Sequence, residues 1–273
     1  MEIIEQNIQS KTGNPRDCED NIVVTDDFAC VIDGVTSKSS RKIEGYTTGK
    51  YAGIIIEKAI HQLNPEANLS EAVDFITEFI RQKYKAKNIL HDLKENPQER
   101  PAASIALYSR YRHQIWLIGD CQCRTNNIVY KNDKKIDDLL SGIRSLIIEL
   151  ELEKGTSIEE LLKNDKGKNF IFPLLEKQSI LQNNPDVKEF GYGVIDGLDV
   201  NKKDIKIINV TGDQIILASD GYPKVFNTLR QSENYLEKVI AKDPLCFRIH
   251  PTTKAVMHGN HSYDDRAYLR LKI

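Results

Sequence analysis

Phe28-Ala29-Cys30-Val31-Ile32-Asp33-Gly34 is a short apolar run of strand-forming residues that ends on a carboxylate and a glycine. Acidic residues stand at the ends or starts of similar runs at Glu19-Asp20, at Leu117-Ile118-Gly119-Asp120 and at Leu217-Ala218-Ser219-Asp220-Gly221. A carboxylate is costly to bury alone, so several delivered to strand ends from distant parts of one chain point to shared cations. A metal-centred hydrolase is the first reading that these four segments support.

Outward from that run, residues 3 to 9, 21 to 25 and 28 to 33 read as strands, after which the hydrophobic period changes. Tyr46, Gly49, Ala52, Gly53, Ile56 and Ile60 fall on or near one helical face, and a second helix is expected from an N-cap at Ser70 towards Leu93. Asn96 to Pro101 is a loop by composition, followed by expected strands at 103 to 110, 114 to 119 and 123 to 130. Residues 136 to 183 become charged and helical. Strands then return at about 190 to 195, 204 to 210, 214 to 219 and 266 to 273, with helices near 223 to 230 and 233 to 241. Strands, two helices, strands, a helical insertion and strands again read as a layered α+β domain with helices covering sheet faces.

The 273 residues are 40% hydrophobic and 29% charged, enough apolar material for one large core, and nothing in the composition splits the chain. The net charge of -2, with both signs interspersed, favours neither nucleic acid nor an anionic membrane as partner. No run is long enough to span a membrane and the N-terminus lacks the pattern of a secretory signal, so a cytoplasmic location is expected. There the five cysteines are reduced thiols by default. Cys121 and Cys123 invite a zinc reading beside Asp120, but the other cysteines are single, and small buried residues are the better assignment.

The order of the acidic segments resembles the protein phosphatase 2C family, the metal-dependent serine/threonine phosphatases. Arg16-Asp17-Cys18-Glu19-Asp20-Asn21 is similar to the family's "ED" segment and Phe28 to Gly34 to its "FAVxDG" strand. Ile118-Gly119-Asp120-Cys121-Gln122-Cys123-Arg124 is similar to "GDSR", and Ile215 to Gly221 to "LILASDG". Asp264-Asp265-Arg266-Ala267 resembles the closing "DNxT", so the match runs from about residue 14 to 273. Singly each Asp-Gly is an ordinary turn; the ordered set is far more specific. Val194-Ile195-Asp196-Gly197 matches no family motif and is read as a turn.

The resemblance implies an α-β-β-α sandwich of two mainly antiparallel sheets, a single domain over 1 to 273, and a variable flap at about 136 to 185. It implies two Mg²⁺ or Mn²⁺ ions, with a weaker third. Asp33 would bridge the first two, with the Gly34 carbonyl beside it. Asp220 and Asp264 would hold the first ion, and Glu19, with Asp20 directly or through water, the second. Asp120 would serve the third. The implied reaction is hydrolysis of phosphoserine or phosphothreonine in a phosphoprotein by a water activated at the binuclear site, which suits hard cations and oxygen ligands.

The sequence departs from the family pattern in several places. The usual phosphate-binding arginine position is Pro15, and Arg16, one residue closer to Glu19, is the candidate replacement. Val35-Thr36-Ser37-Lys38 follows Asp33-Gly34 without the histidine that serves some members as general acid. These changes mark a divergent subfamily, and keep open a second reading: a catalytically weak protein that binds a phosphorylated partner or regulates a complex. A third reading, a zinc or iron hydrolase, rests on His258 and His261 ahead of Asp264. Asp264 is preferred over the adjacent Asp265 as the C-terminal ligand.

Overall fold

In the strand Phe28–Gly34 the side chains of Phe28, Cys30 and Ile32 point to one face and those of Ala29 and Val31 to the other, and all five are buried. Such a strand needs cover on both sides. The computed structural model, which describes residues 1–273, supplies it with a second sheet on one face and helices on the other.

The strands are β1 (Glu2–Gln9), β2 (Asn21–Val24), β3 (Phe28–Gly34), β4 (Lys42–Ile43), β5 (Tyr46–Thr47), β6 (Ala103–Ser109), β7 (Gln114–Ile118), β8 (Gln122–Thr125), β9 (Ile128–Lys131), β10 (Ile205–Asn209), β11 (Gln214–Ala218) and β12 (Arg266–Lys272). The helices are α1 (Thr48–Ile60), α2 (Leu69–Ala86), α3 (Leu90–Glu95), α4 (Lys135–Glu153), α5 (Ile158–Lys163), α6 (Lys166–Lys177) and α7 (Leu229–Lys242). Two five-stranded antiparallel sheets run in the orders β10-β7-β6-β3-β2 and β1-β12-β11-β8-β9, with β4 and β5 as a small separate ribbon.

Between the sheets, Ala29, Val31, Ala106 and Leu117 of one meet Cys123, Leu217, Ala267 and Leu269 of the other. On the outer face of β3, β6 and β7, Cys30, Ile32, Leu107 and Trp116 pack against Ile56 of α1 and Ile76 of α2. Behind the other sheet, Ile216, Ala218 and Tyr268 pack with Tyr222, Val225 and, at the start of α7, Leu229. The expected α-β-β-α layering is therefore the observed one. The cysteines are unpaired and buried, as expected for small core residues.

The region between β9 and β10 is helical as read, and it is tied down by a buried ion pair. Arg144 of α4 pairs with Asp165 at 2.7 Å, and its guanidinium also donates to the carbonyls of Leu245, Cys246 and Thr252. This clamp joins α4, the start of α6 and the 245–255 segment, so the helical segment presses on the loop that precedes β12.

Four local readings are corrected. The expected strand 123 to 130 is a hairpin of β8 and β9, because Asn126 and Asn127 take left-handed φ of 50° and 63° and close a tight turn. Residues 190 to 195 make only isolated bridges, where Gly191 and Gly193 weaken any ladder. Residues 223 to 228 are irregular, and the helix starts after the Thr228 cap. Finally, α2 is capped by Asn68 in a capping box with Glu71, not by Ser70.

Candidate metal centre

Strand parity carries Asp33 to the inter-sheet face, because it shares that face with Ala29 and Val31. Asp33 lies opposite Ser104 in the β3–β6 register, and the Ser104 hydroxyl donates to Asp120 Oδ1 at 2.5 Å. Gly119 makes that bond possible: it has φ +80°, and a Cβ there would stand 2.1 Å from Ser104 Oγ. Asp220 follows β11 in the facing sheet. Asp33, Asp120 and Asp220 present carboxylate oxygens that all lie within 4.8 Å of one another.

Two carboxylates 4.8 Å apart repel by about 3.5 kcal/mol at an effective dielectric of roughly 20. Three such groups resist full ionisation unless a cation joins them. Burial, reinforced by Asp220, Asp20 and Asp120, pushes the Asp33 carboxyl well above the usual range. Burial likewise raises Asp220 to about 7, with Asp120 and Asp264 adding to it and Lys254 opposing. Asp120 differs. Burial pushes it up, but the Lys134 ammonium at 2.6 Å and the Ser104 hydroxyl outweigh that and leave it below its ordinary value.

The other expected ligands surround this triad without joining it. Glu19 and Asp20 are buried just before β2. Glu19 accepts from the Thr47 hydroxyl at 2.5 Å, whereas Asp20 Oδ2 is buried with no hydrogen-bond partner. Burial, then the Asp265, Asp264 and Asp220 charges, raise Asp20 well above its usual value. Gly34 permits the close packing here, since a Cβ on it would sit 2.6 Å from the Glu19 carbonyl oxygen.

Of the adjacent acidic pair, Asp264 faces the cavity and Asp265 turns inward. Asp265 accepts from the backbone N–H groups of Lys11 at 2.8 Å and Glu19 at 3.0 Å, fixing the β1 and β2 ends together. Asp264 is held by the ammonium groups of Lys11, at 3.2 Å, and Lys254. Burial pushes Asp264 up, yet those two lysines hold it well below the usual carboxylate range.

A cavity of about 140 Å³ opens over these groups, with Asp120, Asp220 and Asp264 in its wall alongside Lys134, Asp137 and Lys254. Sequence reasoning missed Lys11, Lys134, Asp137 and Lys254, which belong to no motif and reach the site only through folding. Arg16 sits on an exposed turn, makes no side-chain ion pair or hydrogen bond, and does not line this cavity. Asp196 is in a turn, beside Gly197 at φ +81°, but it is more than that. It is fully buried, paired with Arg100 at 2.7 Å and hydrogen-bonded by Gln182 and Asn183, and it is not part of the carboxylate triad. His258 and His261 are exposed, and no histidine joins the carboxylate group.

The donor set tests well against hard cations. It is made only of oxygens, it contains three converging carboxylates, and an orphaned buried Asp20 oxygen stands near them.

No protein-family model and no curated protein sequence matches the chain. Among solved structures, it is similar to the Mycobacterium tuberculosis serine/threonine phosphatase PstP/Ppp, with 11% identity, 98% of this chain and 97% of that one covered, and a TM-score of 0.47. It is also similar to the catalytic domain of PstP in complex with two manganese ions (10%, 97% and 96%, 0.47). The phosphatase Stp1 from Staphylococcus aureus is a third (15%, 100% and 97%, 0.44). At these identities and scores the likeness carries none of the functional argument, which rests on the residues above.

Proposed function

We propose that this chain is a divergent member of the protein phosphatase 2C family that hydrolyses phosphoserine and phosphothreonine esters of a phosphoprotein with the help of Mg²⁺ or Mn²⁺. The observation that carries this reading is the convergence of Asp33, Asp120 and Asp220 within 4.8 Å at the ends of β3, β7 and β11. The order of the acidic segments along the chain supports the family assignment independently.

In this reading Asp33, Asp120 and Asp220 hold the first cation, and Glu19, Asp20, Asp264 and the Gly34 carbonyl complete a binuclear site. When bound, the cations supply Lewis-acid polarisation of a phosphoryl oxygen and a nucleophilic water at neutral pH. The chain's own groups do the positioning. Ser104 aims Asp120, Thr47 fixes Glu19, and the Tyr263 hydroxyl donates to the Asp220 carbonyl at 3.1 Å, holding that turn. Lys134 and Lys254 balance the negative charge at the cavity wall. The five unpaired thiols are compatible with the cytoplasmic location of the same proposal.

The lysines also favour a second reading. Lys254 and Lys11 on Asp264, and Lys134 on Asp120, place fixed cations where ions would otherwise be shared. A protein balanced in this way would bind a phosphorylated partner with little turnover. Hydrolysis of p-nitrophenyl phosphate and of a phosphothreonine peptide decides between them. The phosphatase reading expects turnover that requires added Mn²⁺, is abolished by chelator, and falls at least 100-fold in Asp33→Asn. A well-folded wild type with no Mn²⁺-dependent turnover sinks it.

A further inference from the structure

Beside the carboxylate cluster lies a second cavity, of about 120 Å³, whose charged lining has the opposite sign. Lys11, Lys38, Lys168 and Lys254 line it together with the Thr36 hydroxyl. They come from four separate segments: the turn after β1, the loop after β3, the first turn of α6, and the loop before β12. Lys11 and Lys254 converge on the same hydroxyl, donating to Thr36 Oγ1 at 3.4 and 3.3 Å, and both also contact Asp264.

The carboxylates on this side do not match the cations. Asp264 and, behind it, Asp265 are satisfied by Lys11 and Lys254. Lys38 and Lys168 are partly buried yet form neither an ion pair nor a side-chain hydrogen bond. Desolvating an ammonium without a counter-charge is costly, so an unpartnered pair converging on one cavity is spent on something outside the chain. The crowding is felt by the groups themselves. Burial, with Lys254 beside it, pulls Lys38 down to about 8, and burial with Lys254 lowers Lys168 as well.

We propose that Lys11, Lys38, Lys168 and Lys254 form a pocket for a dianionic phosphoryl group, either that of a phosphate monoester or free phosphate. Each ammonium is a compact point charge with three donors, and four of them around a tetrahedral oxyanion give every oxygen a charged partner. Thr253, Lys254 and Tyr263 line both cavities, and Lys254 pairs with Asp264 in the wall of the first, so a phosphoryl group here borders the carboxylate cluster. Phe172 and Leu175 of α6 form an apolar wall of the same pocket. The helical segment between β9 and β10 thereby contributes to ligand binding through Lys168. Only the monoester source rests on the phosphatase reading.

The test is a titration of the metal-free full-length protein, in chelator, with inorganic phosphate, followed by calorimetry. Wild type is compared with Lys38→Gln, Lys168→Gln and the double variant, with thermal melting as a check on folding. The expected result is saturable binding, competed by sulfate but not by chloride, that weakens at least tenfold in the double variant and recovers in Lys38→Arg/Lys168→Arg. Absence of saturable binding, or equal binding by the double glutamine variant, overturns the proposal. In Mn²⁺-loaded enzyme, a rise in both KM and the inhibition constant of phosphate identifies a monoester as the natural ligand, whereas a rise in the inhibition constant alone identifies free phosphate. Asp33→Asn keeps the phosphate isotherm while losing turnover, so failure of the hydrolysis reading and failure of the pocket give different results.

Discussion

Replacing Asp220 by asparagine removes one charge from the repelling triad while keeping its shape, and the consequence depends on pH. Burial and its neighbours raise the folded-state Asp220 carboxyl from 3.8 to about 7. Between those values the folded chain keeps a proton that the unfolded chain has lost, so this residue destabilises the metal-free fold increasingly as pH rises. At about 1.4 kcal/mol per pH unit, the accumulated cost is about 1.6 kcal/mol at pH 5 and about 4 kcal/mol at pH 8. Asp220→Asn is therefore expected to be more stable than wild type in chelator, by a margin that widens by about 2.5 kcal/mol between pH 5 and pH 8. His250 titrates in the opposite sense, since burial and then Lys131 lower it to about 4, but it is common to both proteins and cancels in the difference. Asp264, held low by its lysines, stays ionised throughout this window. Urea unfolding at the two pH values measures the margin. Mn²⁺ at a hundred times its Kd adds about 2.7 kcal/mol to the protein that binds it, enough to invert the ranking at pH 5 and to narrow the margin at pH 8. A margin that does not change with pH, or a variant less stable than wild type at pH 8, refutes the electrostatic account of the triad.

Asp196→Ala leaves the Arg100 guanidinium, whose side chain is only 6% exposed, without its partner, and should cost about 3–5 kcal/mol in denaturant unfolding. Its Mn²⁺-dependent turnover per folded molecule should match wild type; a selective loss of turnover would place Asp196 in the site instead of the scaffold. Arg16→Ala should change KM for a phosphothreonine peptide less than twofold, because Arg16 is exposed on the turn before β2 and touches neither cavity. A tenfold rise in KM would instead support the phosphate-binding role inferred from its position in sequence.

Much of the fold was legible because its strands are patterned by local rules. The continuous apolar run of Phe28 to Ile32 and the change of period at Tyr46 located β3 and α1, and the family resemblance carried by the order of acidic segments implied two sheets with carboxylates at their ends. The errors have local causes of their own. Asn126 and Asn127 split one apparent strand into a hairpin by taking left-handed backbone angles, which asparagine tolerates better than other side chains. Gly191 and Gly193 leave an apolar stretch with bridges only. At Asp196, an Asp-Gly turn conceals a buried ion pair whose partner Arg100 lies far away in the chain.

The sequence by itself determined which carboxylates reach the strand ends, because strand termini and side-chain parity follow from residues close in the chain. Only the tertiary structure decided how they group. The register of β3 on β6 and the packing of the two sheets place Asp120 with Asp33 and Asp220, where the motif order had made Asp120 peripheral. The same packing gives Asp264 to Lys11 and Lys254, and draws Lys38 and Lys168 to an empty-handed corner beside them. Charges far apart in the chain, such as Lys11 and Asp264, carry no local pattern, and Coulomb interactions act on distance in space, which folding alone sets.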